Sequence, residues 1–424
     1  MESKSVLLRS LLNHQFFNWT SPLLSHLKSK IKSKSKSRSK SRSDKNKSPS
    51  QQKKNKKKSK SKTKEPEPEP EAKQTILITG LNGYLAGRTA ELVLREGYRV
   101  RGTVRNRTSG EAVKTALCRL GFPAEDIDVV EVPDMCRQED LDSAAKGCTA
   151  IFHLAAPMSS IWTLPPSEII RISTESITAI LNAAQNTGPT MKSVVFLSST
   201  AAVFDLPLES RLYAEHDWNR ASELIFAEKG DLETGGFHAY LASKTKAEKL
   251  FWRFRDEKQP SFSMTTLQPT YFIGPPLIPW NSPHDIPYSN QNIWAVVSGQ
   301  DIPGPMQIYS DTIDIRDVAR MLLWSVTHRA DADGQRFVCS SAVGGGQAIA
   351  DILAARMPHL QTRRGRPGHD YSPDFRPQDG VAGFDSGKAL AATGWAWMPY
   401  EQSVVDMARF LHHEYIIKPG KVCF

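Results

Sequence analysis

Residues 75–87 read TILITGLNGYLAG. A short β-branched and apolar strand is followed by a Gly-rich turn and then by an amphipathic helical segment, YLAGRTAELVLREG, which Gly97 closes. The order strand, turn, helix is what gives the glycines meaning. Gly80 and Gly83 directly follow a strand and open a helix, and Ala86 and Gly87 are small enough for that helix to approach a sheet. Backbone N–H groups at such a helix start turn positive dipole toward a pyrophosphate. Thr79, Gly80, Gly83, Tyr84 and Leu85 are therefore the first candidate residues for a bound dinucleotide.

Working outward, the next strand, YRVRGTVRN, ends where a doubly wound fold reads the adenosine ribose. An Asp or Glu there accepts from a 2′-hydroxyl; this chain has Arg105, with Arg107 close by, which suits a 2′-phosphate and so NADP(H). A third strand, IDVVEVPDM, is read as ending in Asp134, beside Met135, near the adenine edge, and a fourth, AIFHLAAP, runs into Ala155, Ala156 and Pro157, small enough for a nicotinamide arm to pass. His153, inside that apolar run, reads as a packing histidine. Helical segments EDLDSAAKG and PSEIIRISTESITAILNAAQNTG alternate with these strands, the βαβ rhythm of a parallel sheet.

A fifth strand, SVVFLSST, delivers Ser198 and Ser199 at its end, where open α/β sheets place their crevices. Further on, YLASK puts Tyr240 and Lys244 at i and i+4 of a helical segment, on one face and a turn apart. A free tyrosine titrates near pH 10, and a neighbouring cation is expected to lower that value, so that Tyr240 serves as general acid for carbonyl reduction or general base in reverse. Ser199 would bond the substrate oxygen and Lys244 would also hold the nicotinamide ribose. A Tyr-x-x-x-Lys pair alone means little. Its order after the Gly-rich turn, the arginine and the serines gives it weight.

In that order the motifs resemble the extended short-chain dehydrogenase/reductases of the NAD-dependent epimerase/dehydratase superfamily, within them the dihydroflavonol 4-reductase and methylglyoxal or isovaleraldehyde reductase group. The resemblance runs from about Lys73 to the end. TGLNGYLA, GTVR, FHLAAP, FLSSTAAVF and YLASKTKAEK carry it, with EHDWN (Glu215 to Asn219), IDIRDVARM and FDSGKALAATGW in support. It implies that Ser199, rather than Ser198, is the catalytic serine beside Tyr240 and Lys244. TLQPTYFIGP resembles the family's NPxxxxGP segment, implying that Pro269 lines the nicotinamide; Gln268 stands where Asn is usual, a departure expected to loosen local hydrogen bonding. The implied fold is α/β, a Rossmann-type doubly wound parallel sheet with a smaller C-terminal substrate lobe: nucleotide core at about 73–268, lobe mostly from about 269 onward.

Charge divides the chain differently. Residues 1–75 hold 21 Lys or Arg against 6 Asp or Glu, so the remaining residues carry 34 against 39 and are slightly acidic. From Lys28 to Lys64 basic residues alternate with Ser, without aromatics, which reads as a disordered tail; the EPEPEPE run to Glu71 reads as an extended linker. No specific nucleic-acid recognition is expected without aromatics to stack on bases. The tail suits a nuclear-import signal or loose attraction to anionic surfaces, and Met1 to Leu27 weakly resembles a mitochondrial presequence, around an otherwise cytoplasmic reading. Cys118, Cys136, Cys148, Cys339 and Cys423 are odd in number and show no metal spacing, so neither a disulfide scaffold nor a zinc module is expected. No run is long and apolar enough to span a bilayer. Loops MSSIWTLPP (Met158 to Pro166) and PPLIPWNSPHDIPYSN, with Trp162, Trp280 and Tyr288, are candidate pocket walls without basic clusters, favouring a hydrophobic carbonyl over a nucleotide-linked one. The expectation is an NADPH-dependent reductase of an aldehyde or ketone, including secondary-metabolite or polyketide-like carbonyls, acting as monomer or homodimer. The alternatives are a hydroxysteroid dehydrogenase or sugar-nucleotide epimerase, for which an acid at the second strand end is expected, and a non-catalytic NADPH sensor tethered by its tail.

Overall fold

The computed structural model describes residues 73–156, 163–300, 310–360, 362, 364–377 and 380–418. The expectations for the tail, for Pro157, for Met158 to Trp162 and for Cys423 lie outside the described residues.

Twelve strands follow one another as β1 (Thr75–Thr79), β2 (Arg99–Val104), β3 (Ile127–Glu131), β4 (Ala150–His153), β5 (Ser193–Leu197), β6 (Leu212–Tyr213), β7 (Ser263–Pro269), β8 (Tyr271–Ile273), β9 (Ser310–Asp314), β10 (Gln335–Cys339), β11 (Ala342–Gly344) and β12 (Gly383–Phe384). Seven of them form the main sheet in the order β10-β7-β5-β4-β1-β2-β3. Every pairing in it is parallel. The order reverses between β1 and β4, the switch point at which such sheets open a crevice beyond their C-terminal strand ends.

The helices are α1 (Tyr84–Arg95), α2 (Arg107–Arg119), α3 (Gln138–Ala145), α4 (Pro166–Asn186), α5 (Ala221–Glu233), α6 (Gly236–Lys258), α7 (Gln291–Val297), α8 (Ile315–Thr327), α9 (Arg329–Ala332), α10 (Gly346–Arg356), α11 (Gly387–Thr393) and α12 (Tyr400–His412). They cover both faces of the sheet. Successive strand side chains point to opposite faces: in β1, Ile76 and Ile78 join α1, α2 and α8 in one core, whereas Leu77 joins α3, α4 and α6 in the other. Burial on two sides is why TILIT and SVVFL read as nearly unbroken apolar runs.

The chain leaves this core after β7 and returns to it. β10 adds a strand beside β7, and α8 packs against the α1 side, so residues beyond 269 complete the nucleotide core as well as building the lobe. The lobe has a separate core of Ile273, Ile293, Leu353, Tyr400, Val404 and Leu411. Strand β3 stops at Glu131, and Asp134 lies three residues past it in the following turn, not at the strand end expected. Pro133 precedes Asp134 and cannot donate to a strand ladder. No helix among the described residues is long and apolar enough to cross a membrane.

Candidate active site

The β1–α1 turn is held open by its own backbone. Gly80 has φ +70°, and a Cβ there would lie 3.3 Å from the Ala155 Cβ at the end of β4. The Gly80 N–H donates to Thr103 Oγ1 (3.2 Å), the Leu81 N–H to the Thr103 carbonyl (2.9 Å), and the Gly83 N–H to the Gly80 carbonyl (2.8 Å). In β2, a Cβ on Gly102 would fall 2.3 Å from Leu81, so that strand also needs a glycine where the turn folds over it. Helix α1 begins at Tyr84 with Gly83 as its N-cap, without a side-chain cap or an acid in the first turn. Its first N–H groups thus keep their capacity for an anion.

Around that turn, Thr79 is fully buried, its hydroxyl accepting from the Leu154 and Ala155 N–H groups (2.9 and 3.0 Å) and meeting His153 Nδ1 (3.1 Å). It ties β1 to the end of β4. Leu85 is likewise buried. The Tyr84 hydroxyl donates to the Gly274 carbonyl and accepts from Asn290 (3.1 Å), binding α1 to the lobe. Gly87 faces Leu277 in the same lobe, a Cβ there lying 3.0 Å from the Leu277 Cβ, so its smallness serves that contact and not the sheet. Arg105 is exposed and makes no ion pair or hydrogen bond with the described residues, while Arg107 faces Glu111 at 3.4 Å. Asp134 accepts from the Cys136 N–H (2.9 Å), and the Met135 sulfur accepts from Thr103 Oγ1 (3.8 Å). Ala155 and Ala156 are half-buried.

Strand β5 and helix α6 bring the remaining residues together. Ser199 caps the short 3-10 turn Thr200–Ala202, its Oγ accepting from the Ala201 N–H (3.1 Å), and its side chain acts on the Tyr240 phenol. One turn along α6, Lys244 is buried, donates from Nζ to the Leu197 carbonyl (3.2 Å) and lies 5.7 Å from the centre of the Phe196 ring. Desolvation pulls the Lys244 ammonium down to about 8, with Glu248 opposing that shift. The Tyr240 phenol is pushed up by burial, with the Ser199 hydrogen bond pulling the other way. This corrects the expectation that Lys244 would lower it: burial is the larger influence, and Ser199, not Lys244, is what opposes it. His153 stacks on Phe196 at 5.6 Å, and burial, then Lys244, hold it down to about 3, a neutral packing imidazole. Pro269 closes β7, its carbonyl accepting from Thr200 Oγ1 (3.3 Å).

Sequence reasoning missed the polar cluster beneath this pair. Glu248 is fully buried and paired with Arg336 Nε (2.7 Å). Gln268 donates to Glu248 (2.7 Å) and to Thr266 (2.6 Å), so the departure from Asn builds hydrogen bonds instead of loosening them, although its carbonyl oxygen has no partner among the described residues. Arg336 lies alone in the β10 sequence and carried no signal. On the lobe side, Tyr271 and Tyr288 are both exposed, with ring centres 6.1 Å apart, and line a concavity with Ile273, Ile293 and Tyr400. Desolvation, then the fields of Tyr288 and Tyr240, raise the Tyr271 phenol, which sets this wall beside Tyr240. Trp280 instead packs on Tyr84 and Phe410. No group of His, Cys, Asp or Glu among the described residues could hold a metal ion.

Comparison with known proteins agrees with this geometry. An uncharacterized oxidoreductase of Schizosaccharomyces pombe is 31% identical over 290 residues, 67% of this chain and 82% of that one. Tetraketide alpha-pyrone reductase 1 of Arabidopsis thaliana is 29% identical over 297 residues, 68% of this chain and 83% of that one. The crystal structure of yeast methylglyoxal/isovaleraldehyde reductase complexed with NADPH superposes with a TM-score of 0.69 at 24% identity, covering 80% of this chain and 98% of that one. Residues 76–340 match the NAD dependent epimerase/dehydratase family, and the chain belongs to it.

Proposed function

We propose that this protein is an NADPH-dependent reductase that converts an aldehyde or ketone to its alcohol. The observation that carries the reading is the convergence of Ser199, which follows β5, with Tyr240 and, one turn further along α6, Lys244, whose Nζ reaches the Leu197 carbonyl of that same strand (3.2 Å). The cofactor fits the other side of the crevice: a Cβ on Gly80 would crowd Ala155, α1 starts without a side-chain cap, and Arg105 has no ion-pair partner among the described residues where a 2′-phosphate would sit. Bound there, NADPH supplies the hydride to the carbonyl carbon. Relatives support the chemistry, among them the NADPH-dependent methylglyoxal reductase of Saccharomyces cerevisiae, 26% identical over 306 residues, 69% of this chain and 86% of that one.

The protein's own part is to orient and protonate. Ser199 hydrogen-bonds the carbonyl oxygen, and Tyr240 gives that oxygen its proton as charge develops on it. The raised phenol suits this direction, since Tyr240 keeps its proton throughout the neutral range. Lys244, as ammonium, stabilises the phenolate left behind and holds the nicotinamide ribose. Asp134 and Met135 would hold the adenine end, and Ala155, Ala156 and Pro269 would line the nicotinamide end. Tyr271 and Tyr288 offer apolar ring faces to a hydrophobic carbonyl compound. NADPH oxidation with a panel of aliphatic and aromatic carbonyls tests the reading. Tyr240→Phe should lower kcat by about 10²–10⁴-fold, and a Phe variant as fast as the parent would remove Tyr240 from the reaction.

A further inference from the structure

Tyr240, Lys244 and Glu248 stand at i, i+4 and i+8 of α6, on one helix face. Glu248 is fully buried, and its carboxylate collects donors from four directions. Ser198, next to the catalytic serine, donates to Oε2 from the end of β5. Thr266 and Gln268 donate to Oε1 from β7 (3.1 and 2.7 Å), Trp252 from α6 itself (3.4 Å), and Arg336 Nε from β10 (2.7 Å). Arg336 is anchored in turn by the Asp217 carbonyl (2.9 Å) and the Glu215 carbonyl, with its guanidinium 3.7 Å over the Trp218 ring.

A buried ion pair of this kind is poor evidence of stabilisation, because the desolvation it costs rivals the attraction it returns. Its position suggests another use. The groups that face Lys244 are Tyr240 and Glu248 on α6, His153 on β4, and the Leu197 carbonyl and Phe196 ring on β5. His153 is neutral and the others carry no full charge, so Glu248 is the anion that opposes desolvation of the ammonium.

We propose that Glu248, backed by Arg336, is a positioning residue of the reductase site: it fixes the serine turn to α6 through Ser198 and places a carboxylate one helix turn from Lys244, on the face that carries Tyr240. This rests on the proposed function. The test compares kcat at saturating carbonyl and NADPH from about pH 6 to about pH 10, with thermal midpoints, for the parent, Glu248→Gln, Glu248→Gln/Arg336→Gln, Glu248→Asp and Tyr240→Phe. Glu248→Gln leaves Arg336 buried without its counter-ion and should melt early; the double variant should recover stability. In both Gln variants the alkaline fall of kcat should move about one pH unit lower, leaving kcat near pH 8 about fivefold below the parent. Glu248→Asp keeps the charge and should keep the alkaline limb in place even if kcat drops. A double variant with the parental limb, or an Asp variant shifted as far as Gln, overturns the inference. The reading beneath it fails separately, when Tyr240→Phe turns over as fast as the parent.

Discussion

The two walls of the crevice are built by opposite means. On the nucleotide side the work is done by what is missing: side chains at Gly80 and Gly102, a cap on α1, and a partner for Arg105. On the catalytic side it is done by what is buried: Tyr240 partly, and Lys244, Glu248 and Arg336 behind it, all drawn out of water along one helix face and its neighbouring strands. The first wall waits for a polyanion that will complete it and is cheap to hold. The second keeps an ammonium where water would be preferred, so its chemistry and its stability should pull apart.

The sharpest way to break that contrast is Lys244→Met. The ordinary lysine value is 10.5, and burial brings it to about 8 in the folded chain. Below about 8 the folded protein carries a charge that the unfolded chain solvates better. Between about 8 and 10.5 the unfolded chain binds the extra proton, so this group's contribution to stability rises with pH across that window. Activity runs the other way, since the ammonium is lost as pH climbs through about 8. Lys244→Met should therefore lower kcat at least about 10²-fold while raising stability at pH 7 by about 1–3 kcal/mol, read as a higher thermal midpoint. A lower midpoint would mean that the Leu197 contact and packing, not desolvation, dominate at this site.

The same contrast explains what could be read from the sequence. The nucleotide wall is local: strand, glycine turn and helix are contiguous, and their residue types declare the backbone geometry. Tyr240 and Lys244 were legible because helix periodicity alone puts them together, whereas the end of an apolar strand pointed to Ser198 and Ser199 alike and only the family resemblance chose Ser199. Glu248 lies on that same face, but its significance depends on Arg336, Gln268 and Ser198, which only the sheet order β10-β7-β5 brings to it. No spacing rule links a strand near the C-terminus to a helix so far upstream. The direction of the Tyr240 shift was misjudged for the same reason: pairing a phenol with a cation follows from sequence, whereas the dryness of the pocket depends on packing from four elements. Gly87 shows the converse error, a small residue assigned to the nearest surface when its neighbour, Leu277, comes from the lobe.

On the nucleotide wall the larger effect belongs to Arg105→Ala. A charge-assisted hydrogen bond to phosphate contributes about 1.5–3 kcal/mol, so the Michaelis constant for NADPH should rise about 10–100-fold while that for NADH stays within about twofold. No stability change is expected, because Arg105 is exposed and makes no ion pair or hydrogen bond with the described residues. Equal rises for both cofactors would place the 2′-phosphate elsewhere and reassign the cofactor preference.

A smaller effect should separate turn geometry from ligand contact. Thr103 is buried at 1% exposure and its hydroxyl holds the Gly80 N–H at 3.2 Å. Thr103→Val keeps the shape and removes the acceptor, leaving an amide in the turn unsatisfied at a cost of about 1 kcal/mol. The thermal midpoint should fall by about 2 °C, and the Michaelis constants for NADPH and NADH should rise together, by about fivefold at most. That parallel rise is the useful signature, because a loosened turn handicaps any pyrophosphate equally whereas Arg105 distinguishes between cofactors. Were Thr103→Val to weaken NADPH alone, the turn and the phosphate subsite would be one coupled unit, and the nucleotide wall would depend on buried polar partners just as the catalytic wall does.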